Sequence, residues 1–261
     1  MQQGIGIDPK LKFKLYRLCV WSSVLIAIGN TGLYFFLADL YAPPPSPAWG
    51  AEETYAYLME RRTGILWLAI GMNLLAPFFY FFAVITSMQI KRIEGHFGLL
   101  SFLQLTTAVV APTGWCYPLA TLANAVYRPD RDPALIQLMN DQYWLTMVGV
   151  AFIFSLNIFI IGLAALLDRR KNPVFPRWFA YSNFFFALAF APGVLIYAVQ
   201  TGPMAWDGLF PLWIPSTVFP LWQISMVVCL LRAVKSEEKE EMEALALQAQ
   251  LRTAPDPSIR V

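Results

Sequence analysis

The sequence predicts an all-α integral membrane protein, a bundle of about six transmembrane helices with both termini on the cytoplasmic side. Three observations carry that prediction. Only 14% of the 261 residues are charged, while 57% are hydrophobic and the mean hydropathy is +0.52; a soluble domain carries roughly 25% charge. The charges are also clumped, leaving six stretches of 21 or more residues without Asp, Glu, Lys, Arg or His. At 1.5 Å per residue that length crosses roughly 30 Å of hydrocarbon. Finally, if the N-terminus is inside, 15 of the 19 basic residues fall on inner segments and only Arg61, Arg62, Arg128 and Arg131 on outer ones, a strong positive-inside bias. Acidic residues divide 9 to 8 and decide nothing.

Residues 1–17 form an inner segment carrying Lys10, Lys12, Lys14 and Arg17. The first span, Leu18 to Ala38, is too long for the core of a cleaved export signal and reads as a retained anchor, so the mature chain should begin near Met1. Tyr41 to Gly50 is Pro-rich and should run extended; residues 50–62 then read as a short amphipathic helix on the outer surface, with Tyr55, Leu58 and Met59 facing lipid. The second span, Gly64 to Ile90, contains Pro77 and ends at Lys91 and Arg92. A short inner connector leads to the third, Gly98 to Ala125, with Pro112 inside it. An outer loop from Tyr127 to Asp141 precedes the fourth span, Gln142 to Leu167. The inner connector Asp168 to Arg177 precedes the fifth, Trp178 to Val199, which holds Pro192. A third outer loop carries Gly202, Pro203, Trp206 and Asp207. In the sixth span, Leu209 to Leu231, Pro211, Pro215 and Pro220 predict a kinked or partly unwound outer half. Residues 232–261 form a charged inner tail, a solvated helix of a few turns followed by a disordered, Pro-containing end. Trp21, Trp67, Trp115, Trp144, Trp178 and Trp213 mark span ends as interfacial rings. No alternation of apolar and polar residues supports a barrel. A shift of 80 residues places Ala111 and Pro112 on Ala191 and Pro192, a weak sign of two duplicated hairpins.

Several chemistries are excluded by what is absent. The single histidine, His96, lies in an inner loop, so paired-histidine haem ligation, a diiron histidine cluster and a zinc site of usual type have no ligands, and no metal or other cofactor is expected. No Walker sequence is present for ATP, and no carboxylate or lysine lies in any span to serve a proton relay or a retinal-type Schiff base. The net charge of +2 gives no reason to invoke nucleic acid, and Cys19, Cys116 and Cys229 form no spaced disulfide set.

The spans do carry uncharged polar groups. Asn30, Asn73 and Thr113 fall in the outer half, Asn157, Asn183 and Gln223 toward the inner half. Two readings stand: interhelical glue, or, for the outer group, the lining of a pocket. Pro77, Pro112 and Pro192 favour a pocket, since such breaks are tolerated where they are buried or line a cavity. Its candidate ligand-binding residues are Asn30, Asn73, Thr113, Trp115 and Trp206. Glu53 and Asp207 are the candidates for acid/base catalysis at its mouth, although surface loops carry acids by default.

The stretch Arg169, Arg170, Lys171, Asn172, Pro173, Val174, Phe175, Pro176, Arg177, Trp178, with Tyr181 to Asn183 and later Thr201, Gly202, Pro203, Ala205, Trp206 and Asp207, resembles segments of small six-span bacterial inner-membrane proteins without an assigned activity. The resemblance covers about the last third of the chain. It implies a bacterial cytoplasmic-membrane location and assigns no catalytic residue.

Three functions remain open. The first is binding or passage of an apolar or weakly polar small molecule, such as a lipid, sterol or hydrocarbon, among aromatic side chains. The second is a non-catalytic subunit docking a membrane protein partner. The third is a membrane-embedded enzyme acting on a lipophilic substrate.

Overall fold

A computed structural model describes residues 7–253. The expected chain start near Met1 and the Pro-containing end with Arg260 lie outside the described residues. Six helical stretches are long and apolar enough to cross a membrane: Pro9–Leu37, Arg62–Glu94, Leu99–Tyr127, Pro133–Leu167, Arg177–Tyr197 and Leu209–Leu251. Each contains one expected span or nearly all of it.

Helix α1 (Pro9–Thr31) starts where Asp8 accepts a hydrogen bond from the Lys10 amide at 2.8 Å and Pro9 occupies the first turn, the arrangement that satisfies one orphan donor and removes another. It continues as a π-helical segment, Gly32–Leu37, which stops at Asp39, whose φ is 48°. Helix α2 (Ala51–Glu60) follows the Pro-rich loop. Helices α3 (Arg62–Leu75) and α4 (Phe78–Glu94) are one span interrupted at Pro77, which has no amide to continue the ladder. Helix α5 (Leu99–Tyr127) runs through Pro112 and Pro118. Helices α6 (Pro133–Gly149) and α7 (Ala151–Leu167) meet at Val150. Helix α8 (Arg177–Phe190) tightens into a 3-10 segment, Ala191–Tyr197, at Pro192. The chain returns through a π-helical turn, Leu209–Trp213, into α9 (Ile214–Thr253). The expected distortion of the sixth span is this turn.

The bundle is inside-out in composition. On α5 the buried stripe is Ser101, Gln104, Ala108, Pro112, Leu119 and Leu122, at helical spacing, while Phe102, Val109 and Tyr117 are exposed. Phe36, Ile28, Leu99 and Leu188 are each 70% exposed or more. Large apolar side chains outward and small or polar ones inward suit a lipid solvent, where close helix contact comes from packing and hydrogen bonds. At Gly64 a Cβ would sit 2.3 Å from the Leu37 carbonyl oxygen, so only glycine lets α3 cross the end of the first span.

Polar groups join the helices in the half near the N-terminus of α1. Asn157 donates to the Gln104 carbonyl at 2.8 Å and to the Thr107 hydroxyl at 2.9 Å, tying α7 to α5. Trp222 donates to Asn183 at 3.1 Å, tying α9 to α8, and Ser87 donates to the Ser101 carbonyl at 2.8 Å. Gln223 reaches the Ser23 carbonyl of α1 at 3.4 Å. For Asn157, Asn183 and Gln223 the structure thus shows interhelical bonds.

At this basic end the tail departs from expectation. Helix α9 runs without a break past the span, and its acidic turns are clamped: Glu241 pairs with Lys12, Glu238 with Arg17, and Glu240 with Arg92 at 3.0 Å, while Gln89 donates to Glu237 at 2.8 Å. The expected solvated extension begins only beyond these pairs, because Lys12, Arg17 and Arg92 reach it from α1 and α4. The two connectors here are ordered by carboxylates. Burial pushes the Glu94 carboxyl up, but amide donors from Leu100 and Ser101, both at 2.9 Å, outweigh it and hold the group below the usual range. Asp168 behaves likewise: burial raises it, and Arg170 and the Val174 amide more than reverse the effect.

At the opposite end α2 lies across the bundle. Tyr57 and Leu58 are buried, Tyr57 donating to the Pro43 carbonyl at 2.8 Å and Tyr55 to the Pro129 carbonyl at 2.9 Å. Leu58 therefore faces the core and not lipid, a correction that follows from α2 packing on α6. Arg61 holds the Asp39 carbonyl at 2.9 Å and carboxylate at 3.0 Å. The Pro-rich loop is not simply extended, since Pro44 and Pro45 are buried, the Ala42–Pro43 peptide is cis, and Trp206 donates to the Pro45 carbonyl at 2.8 Å. Trp144 is fully buried and stacks on Trp206, and Trp115 is half-buried; neither is an interfacial ring. Of the two compared hairpins, α5 absorbs Pro112 within a continuous helix whereas α8 ends one residue before Pro192's 3-10 segment, so their proline segments differ in form.

Candidate functional site

Apart from the break at Pro77, the places where the spans lose regular helix lie around one cavity. The π-helical end of α1, the α6–α7 break at Val150, the end of α8 at Phe190 and the turn entering α9 all border a cavity of about 170 Å³ beside Thr107 to Trp115 of α5. Prolines and π-turns leave backbone groups unpaired, and such breaks are stable in a bilayer where they face protein or a cavity. The sequence puts four of them here: Gly32 opens the π segment, Pro192 tightens α8, and Pro211 and Pro215 shape the turn.

The walls are mainly apolar, with six aromatic rings among them. Trp115 meets Phe79 at 5.2 Å and Phe219 at 6.3 Å, both edge-on, and Phe154 meets Phe190 at 5.1 Å. Edge-on rings at these separations hold one another in place. Tyr41 contributes the wall toward the α2 end, stacked on Tyr34 at 4.7 Å. The polar lining is sparse: Asn30, Thr31, Thr107 and Ser216. Thr107 is engaged, donating to Leu103 and accepting from Asn157. Among the described residues the Asn30 amide and the Thr31 and Ser216 hydroxyls have no hydrogen-bond partner. An amide left unpaired in apolar surroundings is costly.

The structure separates the candidate ligand-binding residues. Asn30 and Trp115 line the cavity. Asn73 is exposed and donates to the Ala69 carbonyl of its own helix at 2.8 Å, and Thr113 points to the exposed face of α5. Trp206 lies behind Tyr41, packed on Trp144 at 6.2 Å. Glu53 accepts from the Gly50 amide at 3.2 Å and opens α2, while Asp207 is half-buried in the turn before the last span; neither lines the cavity. Missed from the sequence were Tyr41, Phe154, Ser216 and Phe219. The prolines around the last of these, with the aromatic run of the sixth span, were the signal that could have found them.

Behind Tyr41, the hydroxyls of Tyr34, Tyr41 and Tyr143 interact with one another, and the indole N–H of Trp144 is buried without a partner among the described protein groups. No cluster of three or more His, Cys, Asp or Glu with metal-ligating placement occurs among the described residues. Comparison with protein-family models, with curated proteins and with solved structures finds no match.

Proposed function

We propose that this multi-pass chain binds a small, weakly polar molecule in the aromatic cavity, with Asn30 as its hydrogen-bonding contact. The observation that carries this reading is the Asn30 amide, unpaired among the described residues, on a mainly apolar wall. A few placed polar groups on an apolar lining are what orient a lipophilic ligand. Size narrows the class. An apolar cavity of about 150 Å³ accepts one benzene ring, so 170 Å³ accommodates a single six-membered ring with a small substituent. Of the lipid, sterol and hydrocarbon classes, a four-ring sterol does not fit within it whole.

The fit is testable with 4-fluorophenol and 19F NMR on the protein in nanodiscs. A saturable bound resonance is expected, lost in Gly114→Leu, because Gly114 lines the cavity and a Cβ there meets nothing within 4 Å, so the added side chain takes up cavity space. Asn30→Leu should weaken binding by about tenfold, the value of one well-made hydrogen bond of about 1.4 kcal/mol. Unchanged binding in Gly114→Leu would remove the cavity as the site.

The same reading includes orientation. The basic end, with Lys12, Arg17, Arg92 and Arg170, is the cytoplasmic one, and the cavity lies toward the outer leaflet of a bacterial inner membrane. A membrane-impermeant thiol reagent on intact cells should label a cysteine introduced at Glu52 and spare one at Lys239. The reverse pattern would invert the bundle.

A further inference from the structure

The cavity is not isolated. A second, larger hollow of about 570 Å³ lies between α1 and α9 on the outside of the bundle, and Thr31 and Pro220 belong to the walls of both. The two helices part there for local reasons. Gly32 offers no side chain at the point where α1 becomes π-helical, and Pro220 interrupts the α9 ladder. The hollow is lined mainly by aliphatic side chains, including Val24, Ile28, Ile224 and Val228. Phe36 adds a ring, and the polar residues of the lining are Ser23, Thr31 and Gln223; Gln223, 3% exposed, donates its amide N–H to the Ser23 carbonyl while its side-chain oxygen is buried with no partner among the described residues.

Resting on the reading above, we infer that the ligand is a single-ring amphiphile with one flexible hydrocarbon tail, its ring in the aromatic cavity and its tail lying in the α1–α9 groove. The dimensions divide the molecule in this way. The cavity takes one ring and no more, whereas the groove falls within the roughly 300 to 1,000 Å³ of ordinary ligand sites and has the apolar lining a chain requires. Thr31 and Pro220 stand between the two, so the tail has to pass beside these side chains to join the ring. A ligand dissolved in the bilayer reaches the groove sideways, without leaving hydrocarbon. Because a lipid acyl chain is as apolar as the groove, the tail gains from shape and packing and not from escape from water, so the preference is expected to be about tenfold.

The experiment compares two ring-fluorinated phenols, one bare and one bearing a para-dodecyl chain, at equal mole fractions in nanodiscs containing the full chain. In the unaltered protein the alkylphenol should bind about tenfold more tightly. Ile28→Trp, at a position 70% exposed, fills the groove from α1, and Ile224→Trp, at a position 62% exposed, fills it from α9. Both variants should lose the alkyl preference and keep the bare phenol, which also reports that the bundle is intact. Retention of the tenfold preference in both variants would overturn the tail site while leaving the cavity in place. Loss of both probes in Gly114→Leu alone supports the cavity. Failure of the bare phenol to bind the unaltered protein would sink the cavity itself and the tail site with it.

Discussion

Replacing Asp168 should destabilise the basic end in a pH-dependent way. Its carboxylate, fully buried, accepts four hydrogen bonds: from the Arg170 amide at 3.0 Å, the Arg170 guanidinium at 3.0 and 2.9 Å, and the Val174 amide at 2.8 Å. The Arg170 side chain is a third exposed and can turn to water. The Val174 amide is buried and cannot. Asp168→Ala therefore leaves at least one buried donor unsatisfied, about 1–3 kcal/mol, and removes charge-assisted bonds besides, for a total of about 3 kcal/mol. Asp168→Asn keeps one acceptor and sets a donor against a donor, for about 1–2 kcal/mol. The sign of the pH effect follows from the lowered carboxyl: a group whose folded value lies below its unfolded one, about 3.9, contributes stability in full above that value and loses it as pH falls through the folded one. Unfolding by SDS titration in mixed micelles should show Asp168→Asn weaker than the parent at pH 7, the gap closing at acid pH, below the ordinary carboxylate range, as the parent protonates. A gap of constant size across that range would refute the assignment of the stability to the ionised carboxylate.

Asn157→Leu should cost about 0.6–2 kcal/mol by the same titration, because its two bonds cross from α7 to α5, whereas Asn73→Leu should cost almost nothing, its one bond being to its own helix. Trp206→Phe removes the donor to Pro45 and should raise amide hydrogen exchange in residues 41–50 while leaving α4 and α8 unchanged; protection that persists in 41–50 would mean α2 alone holds the loop. Arg17→Glu should weaken the contact of α1 with the acidic turns of α9, and adding Glu238→Arg should restore it, with a coupling of about 0.2–1 kcal/mol that fades at high salt.

The spans were legible because charge exclusion over 21 residues or more has one physical explanation in a chain of this composition. The faces of the helices were not. Asn30 and Asn73 sit at similar depth by residue counting, yet Asn30 turns into the cavity and Asn73 toward the exposed surface. That choice depends on the rotation of each helix, which packing sets and hydropathy does not reveal. The tryptophans misled for a related reason: an indole near the end of a span suits a headgroup layer, but Trp144 had a partner in Trp206, distant in sequence, and was drawn into the core. Likewise Leu58 reads as membrane-facing on an amphipathic helix until α6 is placed beneath it. The tail looked solvated because its acids pair with one another's neighbours in sequence, while their partners Lys12, Arg17 and Arg92 lie more than 140 residues away.

The two halves of the bundle are held together in different ways. In the basic half the polar groups between helices are bonded except for the buried side-chain oxygens of Gln104 and Gln223, and the end is clamped by ion pairs and by the Glu94 and Asp168 connectors. In the other half Trp144 buries its indole N–H without a partner among the described groups, at a cost of about 1–3 kcal/mol, and the helices around the cavity are broken by glycine and proline. Both features oppose stability, so a sequence selected only to fold would have little reason to gather them beside one cavity. Tyr41 is the element common to the two, lining the cavity while stacked on Tyr34 and 5.8 Å from Trp144. A ligand ring against Tyr41 would press on the part of the core that holds the unpaired indole, and the firm packing of the basic half is what allows that part to remain imperfect.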